Sequence, residues 1–337
     1  MTVRSGSGVR FLSAADVTAA MPPIEERLHL AERTMTALAD GSGELPPKTG
    51  VHPRPDGSFA HAMPAHLRGA DTTAIDDLLG IKWIAGFPAN RVAGLPAIHG
   101  LVLLSDPATG APTAILDAGP ITAQRTAAVS GVAIRLFTPS VVGRPARAAI
   151  LGAGVQGRSH LAVVGHLIPG VELTVFDRHP DRAAALVAEA KSVAGIGRAG
   201  VAGTAIEATR SADVVITAAS FTAPTDRQVL TDDWLARHSL VVAVDYATYV
   251  AASVARSAAL FVTDQREQFL ANREAGNFDG YPDPTLTLGE AILARTPRPA
   301  RGRVVVSHLG VGLADLVFGG AILRRAEAAG LGAILPA

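Results

Sequence analysis

Among 30 basic residues only three are lysines, Lys48, Lys82 and Lys191. A chain so biased toward arginine keeps a lysine by chance, or where an ammonium does what a guanidinium cannot, such as moving a proton at a lowered pKa. A second signal is the spacing Gly152-Ala-Gly154-Val-Gln-Gly157, which follows the apolar run 146–151 and precedes a helical stretch. Each glycine has a task in a turn that cradles phosphate: a tight turn at Gly152, close backbone approach at Gly154, helix–strand packing at Gly157. A pyrophosphate there would sit on the helix N-terminus, where free N–H groups and the dipole favour negative charge. The spacing alone is weak, and a glycine-rich turn without a ligand is the plain alternative. The next strand, however, ends in an acid, in the run Glu172-Leu-Thr-Val-Phe-Asp177. That context points to a dinucleotide.

Asp177 is placed to accept both hydroxyls of an adenosine ribose and to repel a 2′-phosphate, which favours NAD over NADP. Arg178 keeps NADP open, because an arginine there binds that phosphate, stacks on the adenine, or is simply a solvated turn residue.

Around the glycine turn the chain alternates strand and helix. Apolar runs at 146–151, 173–176, 213–217, 240–244 and 259–262 are separated by helical stretches. The pattern predicts an α/β fold, a Rossmann-type doubly wound parallel sheet. The preceding part mixes helix and strand as an α+β domain. Pro22 and Pro23 open a helix with Ile24, Leu28, Ala31, Met35 and Leu38 at helical spacing, ended by 41–47. Strands are expected at 59–63, 80–87, 98–104 and 113–116, parted by turns such as Asp106-Pro107. Thr122 is the expected N-cap of a helix running through Arg125 to about Phe137. The Pro/Arg-rich stretch 296–303 reads as a second boundary, and 315–330 beyond it as one amphipathic helix that rejoins the first domain. The expected division is therefore 1–138 with 305–337, and 139–304.

Composition narrows the partners. The 30 basic and 30 acidic residues balance, which argues against nucleic acid or an anionic membrane, since both call for a basic excess. Hydrophobic residues at 48% supply ample core, and the absence of cysteine removes disulfides, thiolate nucleophiles and thiolate metal sites. No metal site is expected. Residues 1–13 contain no apolar core of a signal peptide. The longest apolar stretch, 240–262, is broken by Asp245 and Arg256 and reads as two buried strands, not a membrane span. The expected location is the cytoplasm.

The segment Ile121-Thr-Ala-Gln-Arg125-Thr-Ala-Ala-Val-Ser130, together with the glycine turn, resembles the ornithine cyclodeaminase/mu-crystallin superfamily. Further matches are Ala62-Met-Pro-Ala65, Gly80-Ile-Lys82-Trp, Asp213-Val-Val-Ile-Thr217 and Leu309-Gly-Val-Gly-Leu-Ala-Asp315, so the resemblance runs from Pro46 to Gly330. The stretch Lys82-Trp-Ile-Ala-Gly-Phe-Pro-Ala-Asn90 is nearest to the siderophore-pathway branch. The resemblance implies that residues 139–304 bind the dinucleotide and that the other domain binds substrate and forms a homodimer through its sheet. It puts Arg125 on the substrate carboxylate, a role suited to its planar fork of donors, with a surface ion pair as the bland alternative. Lys82 would stand beside the reacting carbon, holding the carboxylate or moving protons. Lys48, where the family often has arginine, would be a second carboxylate contact, and Met63 would line the substrate. For the cofactor it adds Thr126, Val155, Gln156, Thr217, Ala218 and Val244 to the three glycines, Asp177 and Arg178.

Three departures bear on the reaction. His61 stands where the cyclodeaminases have a glutamate, and Ala97 replaces a threonine that contacts substrate. After the strand Val241-Val-Ala-Val244 the cyclodeaminase pattern is Gly-Gly-Asp; here it is Asp245-Tyr246-Ala247. Asp245 is then either an acid at the site or a helix cap, and His61 either a proton donor near neutrality or a buried, hydrogen-bonded ring. The expectation is an NAD(H)-dependent oxidoreductase that interconverts an α-amino acid, or a secondary amine derived from one, with its imine. A cyclodeaminase that uses NAD catalytically, and a non-catalytic binding protein, are the alternatives.

Overall fold

The computed structural model describes residues 8–54, 57–69, 77–220, 222 and 224–336, so the first seven residues of the stretch searched for a signal peptide lie outside it. The chain forms two compact units, Met1–Arg125 with Val311–Ala337, and Thr126–Gly310.

The first unit opens with β1 (Val9–Leu12), α1 (Ala14–Ala19) and α2 (Ile24–Asp40). α2 buries Leu28, Ala31 and Met35, the stripe its spacing predicts, and Gly41 ends it in the left-handed region at φ 81°. There follow β2 (Gly43–Glu44), β3 (Thr49–Val51), β4 (Phe59–Leu67), β5 (Leu78–Gly86), β6 (Ile98–Ser105) and β7 (Pro112–Asp117). The last four are an antiparallel meander in which Lys82 of β5 lies opposite Met63 of β4 and Val102 of β6. Alternation puts Lys82 and Met63 on one face, inside the core, and Trp83 and Leu101 on the other, which stays exposed.

α3 (Ala118–Phe137) begins five residues earlier than expected. Asp117 takes over the capping, its Oδ1 accepting the Gly119 amide at 2.8 Å. Thr122 is therefore no cap: it lies inside the helix and its hydroxyl donates to the Ala118 carbonyl at 2.6 Å.

The second unit comprises β8 (Arg147–Leu151), α4 (Val155–Leu167), β9 (Val171–Phe176), α5 (Pro180–Ala190), β10 (Ile196–Val201), α6 (Ala205–Thr209) and β11 (Val214–Thr217). It continues with β12 (Leu240–Ala243), α7 (Ala252–Ser257), β13 (Leu260–Thr263), α8 (Arg266–Glu274), β14 (Leu286–Thr287), α9 (Leu288–Leu293) and β15 (Val304–Ser307). The sheet order is β10-β9-β8-β11-β12-β15-β13-β14, every pair parallel. Strands β11, β12, β13 and β15 are buried at every position, as a sheet covered on both faces demands. The strand order reverses between β8 and β11, the switch point where such sheets bind ligands.

β15 corrects the expected boundary. Val304–Ser307 pairs with both β12 and β13, so the chain leaves this unit after Gly310 and not at 304. At the front the division falls at 125/126, within α3, and not at 138.

α10 (Gly312–Ala328) returns the chain to the first unit, followed by β16 (Ala333–Leu335). The sheet there runs β16-β1-β7-β6-β5-β4-β2, with β3 also on β4. α10 packs against β4, β5, β6 and α2. Expected as amphipathic, it is instead buried on every side from Gly312 to Ile322, and only its last turns reach solvent. Asp315 sits in that buried stretch.

Candidate active site

The candidate residues fall on both units. In the second, β8 is followed by Gly152 at φ 108°, a conformation only glycine holds without strain. A Cβ at Gly152 would stand 2.5 Å from the Ala218 carbonyl, so the bare backbone lets the ends of β8 and β11 close up. Around a Gly154 Cβ there is nothing within 4 Å, and Gly154 caps α4 with no side chain. The first turn of α4 thus offers its N–H groups to open space, beside the exposed Val155. Asp177 leans into the turn: its Oδ2 accepts the Ala153 amide at 2.7 Å and its Oδ1 the His179 amide at 2.8 Å. Arg178 is exposed. An open helix N-terminus with a pinned carboxylate beside it fits a dinucleotide's pyrophosphate and ribose.

Thr217, Ala218 and Val244 gather at the same sheet edge. The Ala218 amide donates to Leu151 at 2.7 Å and the Val244 amide to Thr217 at 2.9 Å. Thr126 is buried in α3, and the side-chain oxygen of Gln156 is buried without a hydrogen-bond partner. Asp245, also buried, accepts the Thr217 hydroxyl on Oδ1 at 2.7 Å and the Ala219 amide on Oδ2 at 3.0 Å. Burial pushes its carboxyl up to about 7, against the pull of those two donors. The helix-cap alternative is ruled out, because α7 starts only at Ala252 and is capped by Ala251.

In the first unit Lys82 is fully buried, with its ammonium 2.7 Å from Asp315 Oδ1 and 2.7 Å from the Thr122 hydroxyl oxygen. Burial pushes its pKa down to about 8; Asp315 opposes that shift, while the Arg125 and Lys48 charges add to it. Arg125 Nε donates to the same Asp315 oxygen at 3.3 Å. Its terminal nitrogens make no hydrogen bond among the described residues and are not sealed from solvent, so the guanidinium is anchored at one edge and open at its fork. That is the arrangement a substrate carboxylate needs. The surface-ion-pair alternative fails on burial: Arg125 is 6% exposed.

Lys48 is half-buried, one residue before β3, whose Thr49 lies opposite Ala62 of β4. Its charge acts on both Lys82 and His61. His61 stacks on Phe59 with ring centroids 4.6 Å apart. Burial, reinforced by the charges of Lys48 and His52, pushes its pKa down to about 4. Such a ring is neutral near pH 7, which weighs against the expected proton donor.

Asp315 and Thr122 were not among the expected site residues. In the sequence Asp315 shows only as the end of a motif and Thr122 only as a cap, and no local spacing ties either to Lys82. Among the described residues no cluster of metal-ligand type occurs.

Known proteins match this chain along nearly its whole length. The nodulation efficiency protein NfeD of Rhizobium meliloti is 34% identical over 332 residues, covering 97% of this chain and 98% of that one. The ketimine reductase mu-crystallin of Mus musculus is 30% identical over 320 residues, covering 91% of this chain and 94% of that one. Among solved structures, Thermococcus litoralis Δ(1)-pyrroline-2-carboxylate reductase in complex with NADH and L-proline superposes with a TM-score of 0.83. It covers 97% of this chain and 100% of that one at 24% identity, a likeness of fold. Residues 10–327 match the Ornithine cyclodeaminase/mu-crystallin family, and the chain belongs to it.

Proposed function

We propose that the protein is an NAD(H)-dependent oxidoreductase that interconverts an α-amino acid, or a secondary amine derived from one, with the corresponding imine. The observation that carries this reading is Arg125, held at Nε by a buried carboxylate and open at its fork. The ketimine reductase among its relatives supports the same chemistry.

The glycine turn, the first turn of α4 and Asp177 would hold the cofactor, with Thr217, Ala218 and Val244 lining it and Asp177 favouring NAD. Bound there, the cofactor supplies a hydride to the imine carbon, or takes one from the α-carbon of the amine. Arg125 binds and orients the substrate carboxylate. Thr122 holds Lys82, Lys82 holds Asp315, and Asp315 in turn holds Arg125, and the net positive charge of the cluster favours an anionic substrate. Asp245, with a carboxyl that titrates near neutrality, is the better candidate for the proton; His61 is already neutral at that pH.

The cyclodeaminase alternative asks for an acid where this chain has the buried Ala247, and for several proton transfers in one cycle. The enzyme works as a homodimer in the cytoplasm. The exposed apolar face of the first unit's sheet, with Trp83 and Leu101, supports the dimer, and no described helix is long and apolar enough to cross a membrane.

Stoichiometry tests the reaction. Cyclic and acyclic imino acids are offered with NADH or NADPH, and nicotinamide oxidation is compared with amino-acid formation. One-to-one consumption is expected. Ornithine or lysine turning into a cyclic amino acid plus ammonia, with no net change in the cofactor, would overturn it.

A further inference from the structure

Three buried side chains in the second unit form a chain that the proposed reaction does not use. His308 Nε2 lies 2.8 Å from the Ser130 hydroxyl, which lies 2.7 Å from His160 Nε2, and His160 Nδ1 lies 2.6 Å from the Gln156 carbonyl. Ser130 and His160 are fully buried and His308 is 2% exposed.

The chemistry leaves one assignment of protons. A carbonyl oxygen only accepts, so His160 Nδ1 carries a hydrogen and donates it to Gln156. Burial pushes the His160 pKa down to about 4, so the ring is neutral and its Nε2 is a lone pair. Ser130 must then donate its hydroxyl hydrogen to His160. Having spent that hydrogen, the serine oxygen accepts from His308 Nε2–H. The chain runs one way, from His308 through Ser130 and His160 to Gln156.

A serine paired with a histidine invites a nucleophile–base reading. Burial excludes it, because no substrate atom reaches Ser130. Nor does the chain deliver a proton, since it ends on an amide carbonyl. What it does join is three elements: the loop after β15, the part of α3 that begins with Thr126, and the first turn of α4. Gln156 is the second residue of α4, and the Ser159 hydroxyl also donates to its carbonyl, at 2.9 Å.

We infer that His308, Ser130 and His160 are positioning residues for dinucleotide binding, fixing the first turn of α4 through the Gln156 carbonyl and setting its register against Thr126. The inference rests on the dinucleotide role proposed for that turn. Preorganised N–H groups bind an anion without first losing conformational freedom. Removing the Ser130 hydroxyl leaves the buried His160 Nε2 without a donor; turning the ring, or moving its proton from Nδ1 to Nε2, then releases Gln156.

The test pairs NADH binding with the nitrogen NMR signals of the histidines. In the unmodified protein His160 should show a protonated Nδ1 and an acceptor Nε2 from pH 8 down to about 5, as its low pKa requires. Ser130→Ala should weaken NADH binding roughly fivefold, the equivalent of one lost hydrogen bond, and change the His160 signals. His308→Gln, which keeps an N–H donor within reach of Ser130, should bind NADH as the unmodified protein does, whereas His308→Leu should not. If Ser130→Ala does not fold, the two His308 variants carry the comparison. A cationic or Nε2-protonated His160 at pH 6 would overturn the inference. So would variants whose melting temperature falls while NADH affinity in the folded state is unchanged, the mark of a purely structural brace. An unmodified protein that binds no dinucleotide would instead defeat the proposed function.

Discussion

Asp315 Oδ1 receives the Lys82 ammonium at 2.7 Å, and both side chains are wholly withdrawn from solvent. The same oxygen takes Arg125 Nε, so two cations share one carboxylate oxygen while the second, Oδ2, is buried without a hydrogen bond. Breaking a buried pair by deleting one partner leaves an uncompensated charge and costs about 3–5 kcal/mol. Asp315→Asn should therefore lower unfolding free energy by that order in urea titration. A double-mutant cycle of Lys82→Met with Asp315→Leu should return a coupling of about 2 kcal/mol. Additive single effects would show that the pair is not an energetic unit.

Arg125 is expected to act on substrate and not on the cofactor. Arg125→Ala should cost roughly 2–5 kcal/mol of transition-state stabilisation, read as kcat/KM for the imino acid, with NADH affinity unchanged. Arg125→Lys should not restore it, because one ammonium cannot both hold Asp315 and present a fork. A lysine variant that keeps most of its kcat/KM would remove the two-point carboxylate contact.

Cofactor choice should follow Asp177, whose carboxylate is already oriented by the Ala153 and His179 amides. The protein should bind NADH more tightly than NADPH, and Asp177→Ala should narrow the difference by leaving Arg178 to meet a 2′-phosphate. Equal affinities in the unmodified protein would assign the pocket to Arg178.

The legible features are those whose cause is local. The glycine turn and its acid were readable because spacing within one strand–turn–helix unit sets them, and the strands of the meander because alternation marks them. Val304–Ser307 is as apolar and as buried as the strands legible at 213–217, 240–244 and 259–262, but it directly follows a Pro/Arg-rich stretch that reads as a linker. Thr122 is ambiguous in the sequence because a threonine can cap a helix or donate to a carbonyl four residues back, and only Asp117 decides between them. Asp315 lies 233 residues from Lys82 and Ser130 lies 178 from His308. Contacts at that separation leave no trace in spacing. Nor does His61 announce its low pKa, which depends on its burial and on the charges of Lys48 and His52, either side of the paired strand β3.

Dimerisation should depend on the exposed face of the first unit's sheet, where Trp83 is 46% exposed and faces Leu101 across the β5–β6 register. Trp83→Glu combined with Leu101→Glu should shift sedimentation from dimer to monomer without loss of secondary structure, since both side chains point away from the core. A dimer that survives both charges would move the interface elsewhere.

The pH dependence should belong to Asp245. Its carboxyl titrates at about 7 in the folded protein against 3.8 for the free group, because burial penalises the charge. Between those values the folded state binds the proton and the unfolded state does not, so this group's contribution to stability rises as pH falls through 7. Above pH 7 the folded protein carries a buried charge and bears its cost. Asp245→Asn removes that charge at every pH, so it should be more stable than the unmodified protein at pH 8, by at most roughly 4 kcal/mol. The advantage should fade to nothing by pH 4. Activity should move in the opposite sense. Imine reduction needs the acid protonated, so kcat/KM should fall as pH rises through about 7. In Asp245→Asn that limb should vanish along with most of the rate, and a fall near pH 8 from the buried Lys82 should remain. A variant that keeps the limb at 7 would transfer the proton to another group, and one without the stability gain at pH 8 would show that Asp245 is already neutral there.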